Sequence, residues 1–287
     1  MLAGILVQTT VNGAVLSVNY ALLALGLTLF LSVMNILFFP HGSMYMIAAF
    51  SMYYFSVVFG INYFLAAIIA IAGLAILAVL LEKGLYRPIR GDVNRVFFLG
   101  VGLEWFLEST GYLVFGLMPK GMPAVFKGSI NIFGSILTWQ RLAVVLISLT
   151  AIGLLQLFIT RTRLGLGMRC YVEDADAAAL QGIKGNSIST LTFILGVSLA
   201  ALAGVLLAPV FDITASMGTP AIFKGFLVIG LGGLGSIPGA LLGALILGFL
   251  DSFGGTFVGP ELTGGLVFLF IVLFLMIRPR GLVGVNR

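Results

Sequence analysis

Apolar residues in this chain come in long runs that do not alternate with polar ones. The runs cover about 8–34, 43–59, 63–82, 96–117, 141–160, 188–210, 221–236, 239–257 and 262–277. A helix that crosses a bilayer needs roughly 20 mostly apolar residues. The pattern therefore predicts an all-α polytopic bundle of about nine transmembrane helices, within a range of about eight to ten. Barrel strands would alternate in polarity, and these runs do not. The first run has room for a span and a partial helix, and 221–236 is short and glycine-rich. Residues 1–287 read as a single transmembrane domain. It is interrupted by one polar loop at 118–140 and one charged segment at 161–187.

Composition strengthens this reading. Hydrophobic residues make up 60% of the chain and charged residues 9%, against about 25% charged in a soluble domain. So little charge cannot cover a protein surface in water, so lipid is the main solvent. The first charged side chain is Glu82. No Lys or Arg precedes the first apolar run, which excludes a secretory signal peptide there. The 38 glycines suit close helix packing in lipid. The single Cys170 excludes an internal disulfide or a cysteine metal cluster.

Charge placement predicts orientation. Lys83, Arg87, Arg90 and Arg95 form one basic cluster; Arg161, Arg163, Arg169 and Lys184 a second; Arg278, Arg280 and Arg287 a third. With nine spans all three fall on one side, and basic loops favour the cytoplasm. The C-terminus is then cytoplasmic, and the N-terminus and the 118–140 loop, with only Lys120 and Lys127, are outside. An internal echo adds two pseudo-repeated halves with broken or re-entrant helices. Pro40-His41-Gly42, two apolar runs joined at Asn62, and Arg87-Pro88-Ile89-Arg90-Gly91 parallel a second series. That series is Pro238-Gly239, two runs joined at Gly259-Pro260, and Arg278-Pro279-Arg280-Gly281. The echo runs in the same direction in both halves, and chance similarity between apolar segments is its alternative.

Several polar positions carry candidate chemistry. The segment from Arg161 to Ser187 surrounds Ala177-Ala178-Ala179-Leu180 with charges. The alanines favour a short helix that Gly182 and Gly185 would end. Such a helix suits docking on a soluble partner, and an ordinary solvated loop is the alternative. Gly230 to Gly235 formally matches G-x-G-x-x-G, but no strand or βαβ unit surrounds it, so a dinucleotide site is rejected. Gly232, Gly233, Gly235, Pro238 and Gly239 instead read as a helix break or a close crossing. Gly239, Gly243, Ala244 and Gly248 make a small-residue packing face. No G-x-x-x-x-G-K-[ST] occurs, so any ATP-binding chain is a separate one.

Glu104 and Glu108 lie four apart on an apolar run, hence on one helix face. Carboxylates in lipid are costly and face a cavity or a partner. Two so close repel, which calls for one proton or a shared cation; glutamates in headgroup water are the other reading. Asp251 is mid-run. Asp212, Lys224 and Glu261 fall near outer ends, where snorkelling accounts for them. His41 is the only histidine and has no cysteine nearby, so it marks a hinge at Pro40 and Gly42 rather than a metal site. Asn19, His41, Glu104, Glu108 and Asp251 are the candidates for a translocation pathway.

Taken in order, these motifs resemble the permease subunits of branched-chain amino acid ABC importers, in the first of the two permease types. The resemblance rests on Asn12-Gly13, Tyr20-Ala21-Leu22-Leu23-Ala24-Leu25-Gly26, Phe38-Phe39-Pro40-His41-Gly42 and Tyr86-Arg87-Pro88-Ile89-Arg90. It continues through Leu164-Gly165, Met168-Arg169, Ala178 to Ile183, Leu231 to Ala240, and Arg278-Pro279-Arg280-Gly281-Leu282. It implies a transport subunit, not an enzyme, in a bacterial-type cytoplasmic membrane. The implied partners are a second related permease, two cytoplasmic ATPase subunits that hold ATP and magnesium, and an external solute-binding protein. It also implies a coupling helix between Met168 and Ile183, with Arg169, Asp174, Asp176, Ala178, Leu180, Gly182 and Ile183 meeting the ATPase.

The chain departs from the family pattern at Phe38, Pro40, Glu104 and Glu108. Relatives carry branched-chain or other neutral amino acids, amides or urea, and amino acids are the expected substrate class. An ion-coupled secondary transporter using Glu104, Glu108 and Asp251 is the alternative from another class. A single histidine and no paired nucleophile argue against an intramembrane enzyme.

Overall fold

The computed structural model describes residues 2–132 and 135–283; Arg287 of the third basic cluster lies outside them. Each of the nine apolar runs contains one helix. These are α1 (Leu2–Leu29), α2 (His41–Tyr53), α3 (Tyr63–Leu81), α4 (Val93–Phe115), α5 (Trp139–Arg161), α8 (Gly185–Leu207), α9 (Gly218–Gly232), α10 (Ile237–Phe257) and α11 (Pro260–Ile277). Two short helices, α6 (Arg163–Glu173) and α7 (Ala175–Leu180), fall in the charged segment. Wider π-helical turns extend α1 to Met34, α2 to Val58 and α3 to Tyr86.

Among the described residues, six helices are long and apolar enough to cross a membrane: α1, α3, α5, α8, α10 and α11. The other three differ for physical reasons. Glu104 and Glu108 dilute the hydropathy of α4, although it has 23 residues. At 15 residues, α9 rises only about 22 Å against a hydrocarbon core of about 30 Å, and the 13 α-helical residues of α2 are followed directly by its π-helical turn to Val58.

The hydrophobic helix α1 is the hub. Its most apolar window is 78% buried inside the chain, against 22% for α5 and 17% for α11. Those outer helices, with α3, expose Ile68, Ile76, Leu149, Leu154, Leu269 and Leu273. In water this would be an aggregating surface; in lipid it is a solvated one. The basic clusters gather at one end, hereafter the Arg-rich end. There Arg90 reaches Asn186 at the start of α8, and the C-terminal turn hydrogen-bonds to Leu231 and Gly232 at the end of α9.

Two halves with broken helices are present, but packing relates them differently from the sequence echo. Along α1 and α8, Gly26 meets Gly196, Phe30 meets Phe193, and Met34 meets Ser189. The two helices are therefore antiparallel, and each is followed by a break and a short helix. Likewise Thr9, Gly13 and Ser17 of α1 meet Ser252, Phe249 and Leu245 of α10. Thus α1–α2–α3 corresponds to α8–α9–α10 in the opposite direction. The same-direction echo does not pair equivalent positions: Pro40-His41-Gly42 opens α2 inside the bundle beside Leu23, whereas Pro238-Gly239 opens α10 at the Arg-rich end.

The 118–140 loop is not wholly irregular. Strands β1 (Ser129–Ile132) and β2 (Ser135–Thr138) pair antiparallel there, and Lys120 bridges to Ile213.

Candidate translocation site

At Asn35, the C-cap of α1's final turn, the backbone is left-handed (φ 54°) and its N–H closes on Phe30 and Leu31. The chain then leaves the helix and returns along it, with Phe38 stacked on Phe30 at 4.5 Å between ring centres. Pro40 caps α2 without needing an N–H. The hinge therefore spans Asn35 to Pro40. His41 is fully buried, with Nε2 3.1 Å from the Leu23 carbonyl. Leu23 lies about 16 Å up the helix from Met34, so α2 begins deep in the bundle.

A matching break follows α8, and α9 begins at Gly218. The two short helices meet at their N-termini. A Cβ on Gly42 would strike the Gly218 carbonyl, and one on Gly218 would come to 2.7 Å of the Gly42 carbonyl. Only two glycines allow this backbone approach. Both helices aim the positive ends of their dipoles at one region.

Glu104 and Glu108 of α4 face that region. Glu104 is buried, and its Oε2 accepts from the Ser43 backbone N–H at 3.3 Å, in the first turn of α2. The Ser43 hydroxyl lies 3.5 Å from the Glu104 carbonyl oxygen. Glu108 accepts from the Thr219 hydroxyl at 2.9 Å, in the first turn of α9. The pair thus splits between two helix ends instead of sharing a cation. Helix N-termini offset negative charge by up to about 2 kcal/mol in partly buried settings.

Asp251 is handled differently. Lys224 Nζ donates to both its oxygens, at 2.6 and 2.7 Å, and the Tyr20 hydroxyl donates at 2.8 Å. Lys224 therefore does not snorkel to an end: its short helix starts inside the bundle, so its ammonium meets Asp251 first. Asp212 lies in the irregular chain between α8 and α9, and Glu261 sits in the first turn of α11. Asn19 is buried on α1 beside Tyr45.

Sequence reasoning gave Glu82 no role. It is fully buried, and Arg87 and Arg90 pair with it at 2.7 and 3.2 Å. Ser189 and Thr190 donate to it at 2.9 and 3.0 Å. This cluster ties the end of α3 to the start of α8. Its signal was present, since two arginines follow the first carboxylate of the chain.

The charged segment forms two helices rather than one. Asp174 ends α6 and caps α7, accepting from Asp176 and Ala177 N–H at 2.9 Å each. Arg169 donates to the Thr160 carbonyl at 3.3 Å. Ala178 is buried and Leu180 is 88% exposed, an apolar side chain held out from the Arg-rich end. The Ile183 N–H returns to Ala178, past Gly182 in a left-handed turn. Gly185 does not end a helix; it begins α8. In the other break, α9 stops at Gly232, and Gly233 and Gly235 have positive φ. Pro238 lies in the first turn of α10, and Gly239 packs against Gly232.

Among the described residues, no group of three or more His, Cys, Asp or Glu is arranged to hold a metal ion. No solved structure matches the chain. The family model described as "Branched-chain amino acid transport system / permease component" matches residues 9–277. Among similar proteins, BraD of Pseudomonas aeruginosa, a high-affinity branched-chain amino acid transport system permease protein, is 32% identical over 96% of this chain and 95% of its own. LivH of Escherichia coli K12, described in the same words, is 31% identical with the same coverage. A probable LivH of Methanocaldococcus jannaschii is 27% identical over 96% of this chain and 92% of its own. With the match running from the first turns of α1 to the last residue of α11, the chain belongs to the family of branched-chain amino acid transport system permease components.

Proposed function

We propose that the chain is the permease subunit of an ATP-driven ABC importer for branched-chain or other neutral amino acids, and forms half of the translocation pathway. One observation carries this reading beyond family membership. Two interrupted helices meet N-terminus to N-terminus inside the bundle, between carboxylates of a third helix. Broken helices of this kind are where membrane transporters place small polar solutes.

The partners are a second, related permease, two ATPase subunits with bound ATP and magnesium, and an external solute-binding protein. The Arg-rich end faces the cytoplasm of a bacterial-type cytoplasmic membrane, by the bias of basic loops. The N-terminus and 118–140 lie outside, and 161–187 lies inside. The coupling element is α7 with its flanks: Leu180 enters an apolar groove on an ATPase, Arg169, Asp174 and Asp176 set its charge, and Gly182 and Ile183 shape the turn. The exposure of Leu180 on an otherwise charged segment supports this.

The test is reconstitution with and without the ATPase pair. Amino acid uptake should require the pair, ATP and the binding protein; uptake by the chain alone, driven by an ion gradient, would overturn the reading. For orientation, a cysteine at Ala179 should react only from the cytoplasmic side and one at Ala124 only from outside. Leu180→Asp should abolish stimulation of ATP hydrolysis by loaded binding protein while the subunit still inserts.

A further inference from the structure

A cavity of ≈ 470 Å3 opens at the Arg-rich end, outside the polar junction of α2, α4 and α9. Asn35, Arg90, Val93, Val96, Phe97 and Leu234 are among its walls. Phe97 lies seven positions before Glu104 on α4, and Phe226 lies seven after Thr219 on α9. At 1.5 Å per residue, both rings sit about 10 Å from the carboxylate junction, toward the cavity.

These two rings meet a third. Phe39, on the returning leg between Asn35 and Pro40, packs edge-to-face on Phe97 at 5.5 Å and on Phe226 at 5.4 Å. Each of the three interrupted or charged elements thus contributes one ring. Polar groups lie on one side of the cluster and the cavity on the other. A dry aromatic constriction stops a solute with charged ends, because it offers those ends no hydrogen bonds.

We propose that Phe39, Phe97 and Phe226 form the inner gate of the transport path, closing the polar junction at Ser43, Glu104, Glu108 and Thr219 from the Arg-rich cavity. The proposal rests on the permease reading and adds where the path runs and what closes it. The gate opens when the leg carrying Phe39 moves, because that leg lies outside the helical ladder that holds Phe97 and Phe226. Phe97 is 44% exposed; its free face completes the closure against the second permease.

The test is thiol labelling in the assembled complex, in inside-out vesicles, with Cys170→Ser as background and a charged, membrane-impermeant reagent. Val93→Cys, in the cavity, should label fast in every variant. Ile76→Cys, on the lipid face of α3, should stay silent. Thr219→Cys should label slowly with the rings intact and several-fold faster with Phe97→Ala and Phe226→Ala together. Restoring bulk with Phe97→Leu and Phe226→Leu should slow it again. An unchanged Thr219→Cys rate, with Val93→Cys reactive and Ile76→Cys silent, would overturn the gate. If the double alanine variant also exposes Ile76→Cys, the single Phe226→Ala is compared with Phe226→Leu, and equal rates overturn it. ATP-dependent uptake is measured on the same parent vesicles. Its absence would sink the importer reading, while the labelling rates still decide whether the rings close the path.

Discussion

Asp251 and the pair Glu104–Glu108 are carboxylates in the same bundle, neutralised in opposite ways. Asp251 has a lysine on both oxygens and a tyrosine beside it. Among the described residues the glutamates pair with no cation; they accept from an N–H and a hydroxyl in the first turns of two helices. A direct ion pair is a tight, discrete lock. A helix end offers a weaker, spread-out positive potential, which a solute or water can share without leaving a charge stranded. The lock joins α9 to α1 and α10, within the packed body. The softer contacts lie where the broken helices meet, the part a transporter has to move.

This comparison predicts a ranking of effects. Asp251→Ala should be the most damaging, because it leaves Lys224 without its counter-charge; breaking a buried pair costs about 3–5 kcal/mol. Lys224 keeps 22% side-chain exposure, which puts the loss toward the lower end. Thermal unfolding of the purified complex measures it, and Asp251→Leu with Lys224→Met should recover most of the loss. A double variant as unstable as the single would show that the pair is not the lock.

Glu82→Ala comes next. It releases Arg87 and Arg90, whose side chains are 32% and 31% exposed and can turn to water. A loss of about 1–3 kcal/mol is expected, together with weaker coupling of ATP hydrolysis to transport, because the cluster joins α3 to the start of α8.

Glu104→Gln should be milder, about 1 kcal/mol, since the amide still accepts from Ser43 and only the charge–dipole attraction is lost. Glu108→Gln should cost least in stability, about 0.5 kcal/mol, because that side chain is only half-buried. With both glutamates replaced, uptake should change in rate or in pH dependence while protein level holds. Unchanged uptake across pH would remove the pair from the pathway and leave Asp251 as the main intramembrane carboxylate of interest.

Much of this was legible in the chain. Spacing put Glu104 and Glu108 on one face, and their cost in lipid marked them. The partners were not legible: Ser43 and Thr219 lie 61 and 111 residues away. Lys224 was misplaced because a run of apolar residues does not reveal that its helix starts inside the bundle. Glu82 was passed over because it stands at the end of a span, where an exposed carboxylate is ordinary; only the packing of α8 over it makes it buried.

The apolar runs, the scarcity of charge and the three basic clusters determine the solvent, the helices and the end at which the arginines gather, because each is a local property of composition and period. The opposed direction of the two halves, the meeting of α2 with α9 and the choice of partner for each carboxylate belong to tertiary structure alone. They depend on backbones that touch at Gly42 and Gly218, where neither residue has a side chain whose pattern along the chain could announce the contact.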